Sequence, residues 1–303
     1  MSAPAATPAT APLAPLEREG YRRCAAITRR HGTTYYWGVA LLPVERRRHV
    51  HAVYALCRAA DDIVDEPGAT TPGQVRDTER RLAAFRHTVL EAVDGAPVED
   101  PVLAAVVRTL RSCALEQAVL DRFFGAMAAD LTTTRYETWE DLLGYMDGSA
   151  AVIGEMMLPV LRPTTPDALA PARALGLAFQ LTNFIRDVAE DLDRGRVYLP
   201  QADLRAHGAD PALRRVTPQW RSFMAEQIER NRGLYAEADR GIPMLPDTSA
   251  RCVATARTLY SQILDRIEAA DHNVFTERVR VPTRIKAATA AAALVRRPRG
   301  AGA

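Results

Sequence analysis

The sequence predicts an all-α protein folded as a single domain, and three observations carry that prediction. Apolar residues recur at spacings of three and four, as in Val50, Val53, Tyr54, Leu56 and Cys57, which is the period of a helix with one buried face. Ala, Leu, Arg and Glu dominate, and these are strong helix formers. Alternating strand-like runs are scarce, and no composition shift marks a domain boundary after Leu16. A chain of 303 residues divided into such helices and their connections makes roughly ten helices.

Taken in order, residues 1–16 read as a disordered arm. Ser2 to Pro15 is rich in Ala, Pro and Thr and lacks the charged start and apolar centre of a secretion signal. Residues 17–295 form the helical domain. Its breaks are expected at Pro43, Pro67 to Gly73, Asp94 to Pro101, Arg162 to Pro171, Pro200 to Pro211 and Gly241 to Pro246, each a cluster of loop-type residues. Ala287 to Ala293 reads as an Ala-rich helix end, and residues 296–303 as a frayed tail. No internal repeat is visible, which argues against a solenoid.

Charge and cysteine content exclude several classes. Lys+Arg is 39 and Asp+Glu 37, a net charge of +2, so the chain lacks the basic excess of a nucleic-acid binder. Lys286 is the only lysine, a bias that GC-rich coding explains. The four cysteines are scattered without a CxxC pair, which disfavours a zinc site and reads as a reducing, cytoplasmic protein. No run of 18 apolar residues exists, so no transmembrane helix is expected. No signal for oligomeric state is present.

Two acidic clusters stand out. Asp61, Asp62, Asp65 and Glu66 end an apolar-faced helical pattern that begins near Tyr54. Asp61 and Asp65 are four apart, which places them on one face of a helix, near an end whose dipole disfavours anions. Taken alone, the cluster reads equally well as a solvated helix end or as a seat for a hard cation such as Mg²⁺. The second cluster decides for the cation. Asn183, Asp187 and Asp191 step by four along one helical face, flanked by Gln180 and Glu190. Two such ladders facing each other would repel by about 4 kcal/mol per pair at 4 Å and an effective dielectric of 20. Cations between them, shared with a diphosphate, relieve that repulsion, and helical bundles host such sites.

These residues also carry a resemblance. DDIVD at Asp61 to Asp65 and NFIRDVAEDLDRGRVYLP at Asn183 to Pro200 resemble the paired motifs of the squalene/phytoene synthase family, most closely its bacterial phytoene synthases. His31 to Tyr36 with Leu41 to Pro43, Tyr145 to Pro159 and Ala256 to Lys286 extend the resemblance to about Tyr21 to Lys286. It implies a single-domain isoprenoid-synthase (trans-prenyltransferase) helical bundle around a central cavity. The implied reaction is a head-to-head condensation of two prenyl diphosphates, most simply two geranylgeranyl diphosphates. It runs through a cyclopropylcarbinyl diphosphate to phytoene, with Mg²⁺ (Mn²⁺ as a substitute) and no NADPH.

The resemblance assigns roles residue by residue. Asp61, Asp65, Asp187 and Asp191 are expected to hold the metal ions, with Asp62, Asn183 and Glu190 as further ligands. Tyr145 and Tyr260 are the aromatic candidates nearest the chemistry. His31, Tyr35, Arg58, Gln180, Asn183, Arg186, Arg196 and Arg278 are expected at the substrate, with Lys286 a weaker candidate. Arg forks suit phosphate, although Arg186 equally suits a salt bridge to Asp187. Gly195 and Arg196 resemble a flap that excludes water. A carbocation needs a dry, aromatic-lined cavity, each face being worth about 0.5–2 kcal/mol, and Tyr36, Tyr54 and Phe179 join the lining candidates, core packing being the plainer role for most of them. The small residues Gly148 to Gly154 suit a cavity wall or close helix packing, the wall being favoured.

Two departures from the family pattern fall at Asp147, where an aromatic residue is usual, and at Arg162-Pro163. Asp147 is expected either as a ligand or facing solvent. Val39 is small and lies one turn from Tyr35, which favours the C20 substrate. Farnesyl diphosphate, giving presqualene diphosphate, squalene or dehydrosqualene, is the alternative. A head-to-tail elongase or cyclase is disfavoured by the spacing of the second motif. A non-catalytic prenyl-binding partner is disfavoured because neither ladder has lost a carboxylate. A peripheral membrane contact is compatible with a hydrocarbon product, but no basic amphipathic helix supports it.

Overall fold

The computed structural model describes residues 12–295 except 67 and 72, so the arm up to residue 11 and the tail 296–303 lie outside the described residues. The first helix, α1 (Pro15–His31), begins just inside the expected arm. Pro15 opens it because a first-turn residue needs no amide hydrogen bond.

Fourteen α-helices are present among the described residues, more than the ten expected. Those after α1 are α2 (Thr33–Val39), α3 (Val44–Val64), α4 (Val75–Asp94), α5 (Pro101–Ser112), α6 (Gln117–Ala129) and α7 (Trp139–Met146). Then come α8 (Val152–Leu161), α9 (Leu169–Arg186), α10 (Val188–Asp193), α11 (Gln201–His207), α12 (Pro218–Asp239), α13 (Asp247–Ala269) and α14 (Thr283–Val295). The surplus lies in α2, α7, α10 and α11, which are one or two turns long and too short to show a period. Of the expected breaks, residues 200–211 instead contain α11. The chain also breaks at Gly32 and at Asp187, where no Pro or Gly cluster is present apart from Gly32 itself.

Local chemistry sets several ends. The Asp100 carboxylate accepts from the Leu103 amide at 2.7 Å and starts α5. Thr138 and Asp141 form a capping box at α7, with bonds of 3.1 and 3.0 Å. Thr217 caps α12 through the Trp220 amide at 3.1 Å. No strand forms among the described residues. One isolated parallel bridge joins Arg135 to Val197.

The helices pack around two large cores and a small one. The larger pair centres on Leu181, Ile185, Phe223 and Ile263 of α9, α12 and α13, and on Cys24, Leu56, Leu110 and Phe123 of α1, α3, α5 and α6. The third joins Val39, Leu42, Leu161 and Cys252. All four cysteines are free. No helix among the described residues is long and apolar enough to cross a membrane.

Small residues bring α8 onto α9. A Cβ on Gly154 would lie 2.1 Å from the Ala172 carbonyl oxygen, and one on Gly176 would lie 2.2 Å from that of Ala150. Both glycines are therefore required for packing. The wall reading of this stretch also holds, because Ser149, Ala150, Ile153 and Gly154 line the central cavity. The preceding turn, Asp147–Ala151, is a π-helix, a local widening often found at functional sites.

Candidate active site

Between the cores lies a cavity of about 1230 Å³, larger than an ordinary small-molecule pocket. Asp61 and Asp65 face it from the end of α3, and Gln180, Asn183, Asp187 and Asp191 face it from α9 and α10. The cavity-facing carboxylates of the two clusters, 122 or more positions apart in sequence, therefore share one chamber.

The backbone at both clusters differs from two unbroken helices. Asp65 stands just past the last residue of α3, as its cap. Asp187 sits at the joint between α9 and α10 with φ −98° and ψ 14°. The Asp187 amide still donates to the Asn183 carbonyl at 2.8 Å, and the Asp191 amide to the Asp187 carbonyl at 2.9 Å. The four-residue register thus passes through the joint, and the step of four still gathers Asn183, Asp187 and Asp191 at the cavity.

The expected repulsion is relieved first by arginines. Arg186 donates to both oxygens of Asp187, at 2.6 and 2.5 Å, and Arg278 does the same at 2.8 Å each. Burial pushes the Asp187 carboxyl up, but these two forks outweigh it and hold it below its ordinary range. Arg194 and Arg196 reach Asp65 at 3.3 and 3.2 Å. Arg58 pairs with Asp62 one turn along α3. Of the arginines expected at phosphate, Arg58, Arg186, Arg196 and Arg278 thus all hold carboxylates here.

Asp61 and Asp191 are different. Neither carboxylate is hydrogen-bonded or ion-paired to another described residue. Burial, with the charge of Asp65 next, pushes Asp61 up to about 7. Burial and Asp187 likewise push Asp191 up to about 7, against Arg194 and Arg196. Asn183 Oδ1 is also buried without a hydrogen-bond partner. Three hard oxygen donors without partners, Asp61 from α3 and Asn183 and Asp191 from α9 and α10, line the same cavity, and their chemistry fits a divalent cation. Among the described residues no three His, Cys, Asp or Glu side chains form a ready-made cage. Asp62 and Glu190 are exposed and do not line the cavity. Glu190 lies 3.4 Å from Arg278.

The aromatic candidates all line the chamber, as do His31, Val39 and Lys286. Tyr35 stacks on Tyr260 with centroids 4.8 Å apart, and Phe179 lies 4.4 Å from Tyr260. Burial raises both the Tyr35 and Tyr260 hydroxyls, so both stay neutral. Asp147 is neither a cavity ligand nor a free solvent-facing group. It joins a network in which Arg122 and Arg173 bridge Asp147 and Glu155 across α6, α8 and α9.

The turn expected to act as a flap has a local cause. Gly195, at φ +73°, follows α10. Its amide donates to Leu192 at 3.0 Å, and the Arg196 amide donates to Asp191 at 2.8 Å. This pair of bonds ends the helix by a left-handed turn that only glycine adopts easily. It turns Arg196 back toward α3. There it meets Asp130, a residue that sequence reasoning missed, which also takes the hydroxyl of Tyr198. The Tyr198 hydroxyl donates to Asp130 at 2.9 Å, and Arg196 lies 3.5 Å from the Asp130 carboxylate. Asp130 is 7% exposed. Tyr198 lay inside the quoted motif, but Asp130 carries no local signal.

Residues 28–284 match the squalene/phytoene synthase family. The chain is 38% identical over 277 residues to "Phytoene synthase, chloroplastic" of Daucus carota, covering 88% of this chain and 68% of that one. It is 37% identical over 297 residues to the 15-cis-phytoene synthase of Synechocystis sp., covering 92% and 86%. Among solved structures, a dehydrosqualene synthase in complex with ligand superposes with a TM-score of 0.81 at 26% identity, covering 92% of this chain and 96% of that one. A squalene synthase, HpnC from Alicyclobacillus acidocaldarius, does so with a TM-score of 0.76 at 28% identity, covering 86% and 97%.

Proposed function

The chain belongs to the squalene/phytoene synthase family, and on that premise we propose that it condenses two geranylgeranyl diphosphates head to head into phytoene. The observation that carries the reading is the juxtaposition of two acidic clusters on one large, aromatic-lined cavity. The relatives named as phytoene synthases support the C20 substrate over farnesyl diphosphate. Val39, buried in the wall where a bulkier side chain would shorten the chamber, agrees with them.

Asp61, Asp191 and Asn183 would hold Mg²⁺, with Asp65 and Asp187 completing the set as Arg194, Arg186 and Arg278 turn to phosphate. Such an ion supplies Lewis acidity that neutralises the departing diphosphate. Arg186 and Arg278, which pair with Asp187, and Arg58, which lines the same cavity, would bind the diphosphate oxygens as forks. The prenyl chains lie in the apolar chamber. Loss of diphosphate from one leaves an allylic cation, which the double bond of the second attacks. Loss of a proton closes the cyclopropane ring. The second diphosphate then leaves, the ring opens by rearrangement, and a further proton loss gives the C40 triene centre without a reductant. The stacked faces of Tyr35 and Tyr260, with Phe179, stabilise positive charge and exclude water.

The test is incubation with Mg²⁺ and either geranylgeranyl or farnesyl diphosphate, with and without NADPH, followed by mass analysis of the hydrocarbon. A C40 product from the C20 substrate, unchanged by NADPH, is expected. Absence of that product sinks the reading.

A further inference from the structure

The tail of the second motif is laid along the connection between α6 and α7. The Val197 amide donates to the Thr134 carbonyl at 2.8 Å, the Gln201 amide to Tyr136 at 3.0 Å and the Ala202 amide to Glu137 at 2.9 Å. Asp130 begins that connection, as the cap that ends α6. Its two carboxylate oxygens accept from the Tyr198 hydroxyl at 2.9 and 3.3 Å. Its backbone carbonyl accepts from Arg196 Nη2 at 3.1 Å. Arg196 Nη1 lies 3.5 Å from the Asp130 carboxylate and 3.2 Å from that of Asp65. The Tyr198 ring stacks on Phe184 at 4.0 Å and 13°, and faces Tyr145 at 5.9 Å and 23°. One buried carboxylate therefore grips the flap through two residues. It reaches the first acidic cluster through Arg196 and the cavity wall through Tyr198.

Packing alone does not call for a charge here, since an apolar residue of similar size often serves a core as well as a buried ion pair. What the charge adds is direction. An arginine held between two carboxylates presents its planar fork in one orientation. A tyrosine whose hydroxyl is fixed keeps its ring in one plane. We propose that Asp130 is a positioning residue for the condensation, holding Arg196 and Tyr198 so that the flap at residues 194–198 closes over the diphosphate end of the cavity with Asp65 already oriented. Asp130 acts through these partners and makes no bond to substrate. The kinetic part of the inference rests on the proposed condensation, and the structural part does not.

The experiment compares the full-length wild type with Asp130→Asn and Tyr198→Phe, by amide hydrogen exchange and by steady-state kinetics with geranylgeranyl diphosphate. Exchange at the Val197 and Gln201 amides is expected to rise by about tenfold or more in both variants, with the α9 amides unchanged, as for a local opening. In Asp130→Asn, kcat is expected to fall by about 10²-fold, the scale of a displacement near 1 Å, with a smaller change in KM. Tyr198→Phe loses one hydrogen bond to a charged group and is expected to fall by about tenfold. Unchanged exchange at residues 194–201, or wild-type kcat accompanied only by a lower melting temperature, overturns the proposal. Should Asp130→Asn fail to fold, Tyr198→Phe decides, because it keeps the charge and removes one hydroxyl. A wild type that makes no C40 product would defeat the proposed function instead, and the exchange measurement would still decide the role of Asp130.

Discussion

Arg196 Nη1 lies 3.2 Å from Asp65 Oδ1, joining residues 131 positions apart. The guanidinium is buried, with Arg196 only 4% exposed, and Asp130 flanks it on the other side. Removing one member of such a group leaves uncompensated charge. Arg196→Gln is expected to destabilise the fold by about 3–5 kcal/mol. Urea denaturation followed by circular dichroism checks this, and a loss under 1 kcal/mol would show that the pairing is not structural.

Asp61 stands under the opposite tension. It is half-buried with no hydrogen-bond or ion-pair partner among the described residues, an arrangement that costs stability and is expected where a charge serves binding. Asp61→Asn is expected to abolish pyrophosphate release, by about 10³-fold or more, while the helical signal and melting temperature are unchanged or raised. Turnover within tenfold of wild type would remove Asp61 from the metal set.

The cavity aromatics give a graded expectation. Tyr260 contacts Tyr35 and Phe179 through its ring face. Tyr260→Phe keeps that face and is expected to retain most activity. Tyr260→Leu loses a cation–π contribution of about 0.5–2 kcal/mol, about tenfold in kcat. Equal losses in the two variants would point to the hydroxyl instead.

Stability should depend on pH through a site far from the carboxylates. His49 is held down to about 4 by burial first and then by Arg48, Arg108 and Arg162. Its Nδ1 lies 2.9 Å from the Thr109 hydroxyl and 3.3 Å from that of Tyr21. His51 is likewise held down to about 4, by burial and then by Arg47. A histidine lowered in the folded state binds its proton more readily when unfolded. Its stabilisation is therefore complete above the unfolded value near 6.5 and is lost as pH falls toward 4. Asp61 and Asp191, pushed up to about 7, gain stability over the same fall in pH. The His49 contribution is therefore read by denaturation as the difference between wild type and His49→Gln, and the variant should lose less stability between pH 7 and 4 than wild type. An unchanged slope in that variant would remove His49 as its source.

The contact of α8 with α9 tolerates no added atom. Gly154→Ala would place a methyl group 2.1 Å from a backbone oxygen. It is expected to cost about 1–3 kcal/mol and to shift the cavity wall at Ser149 and Ile153. Thermal unfolding checks the first effect, and the ratio of C40 to shorter products checks the second.

How far the sequence reached depended on the range over which its signals act. Helical class, the apolar stripe of α3 and the step of four from Asn183 to Asp191 arise between residues at most a turn apart, and all are present in the structure. The short helices α2, α7, α10 and α11 escaped because one or two turns do not complete a recognisable period. The left-handed turn at Gly195 is local too, and it explains the glycine in the motif.

The sequence by itself determined which carboxylates and arginines the chain carries, at what spacing, and hence the family. Tertiary structure alone decided which arginine neutralises which carboxylate. Asp187 takes Arg278 from 91 positions away, and Asp65 takes Arg194 and Arg196 from 129 and 131 away. Asp61 and Asp191 are left without such partners. It also placed Asp130 beside Tyr198, across 68 positions. The physical reason is that helical periodicity orders side chains only within a turn or two, whereas an ion pair forms wherever folding brings a cation within about 4 Å of an anion. Where two acidic clusters and several arginines meet in one chamber, the balance of pairing and desolvation, set by where folding places the end of α3 across the cavity from the α9–α10 joint, decides which carboxylates take arginine partners and which do not.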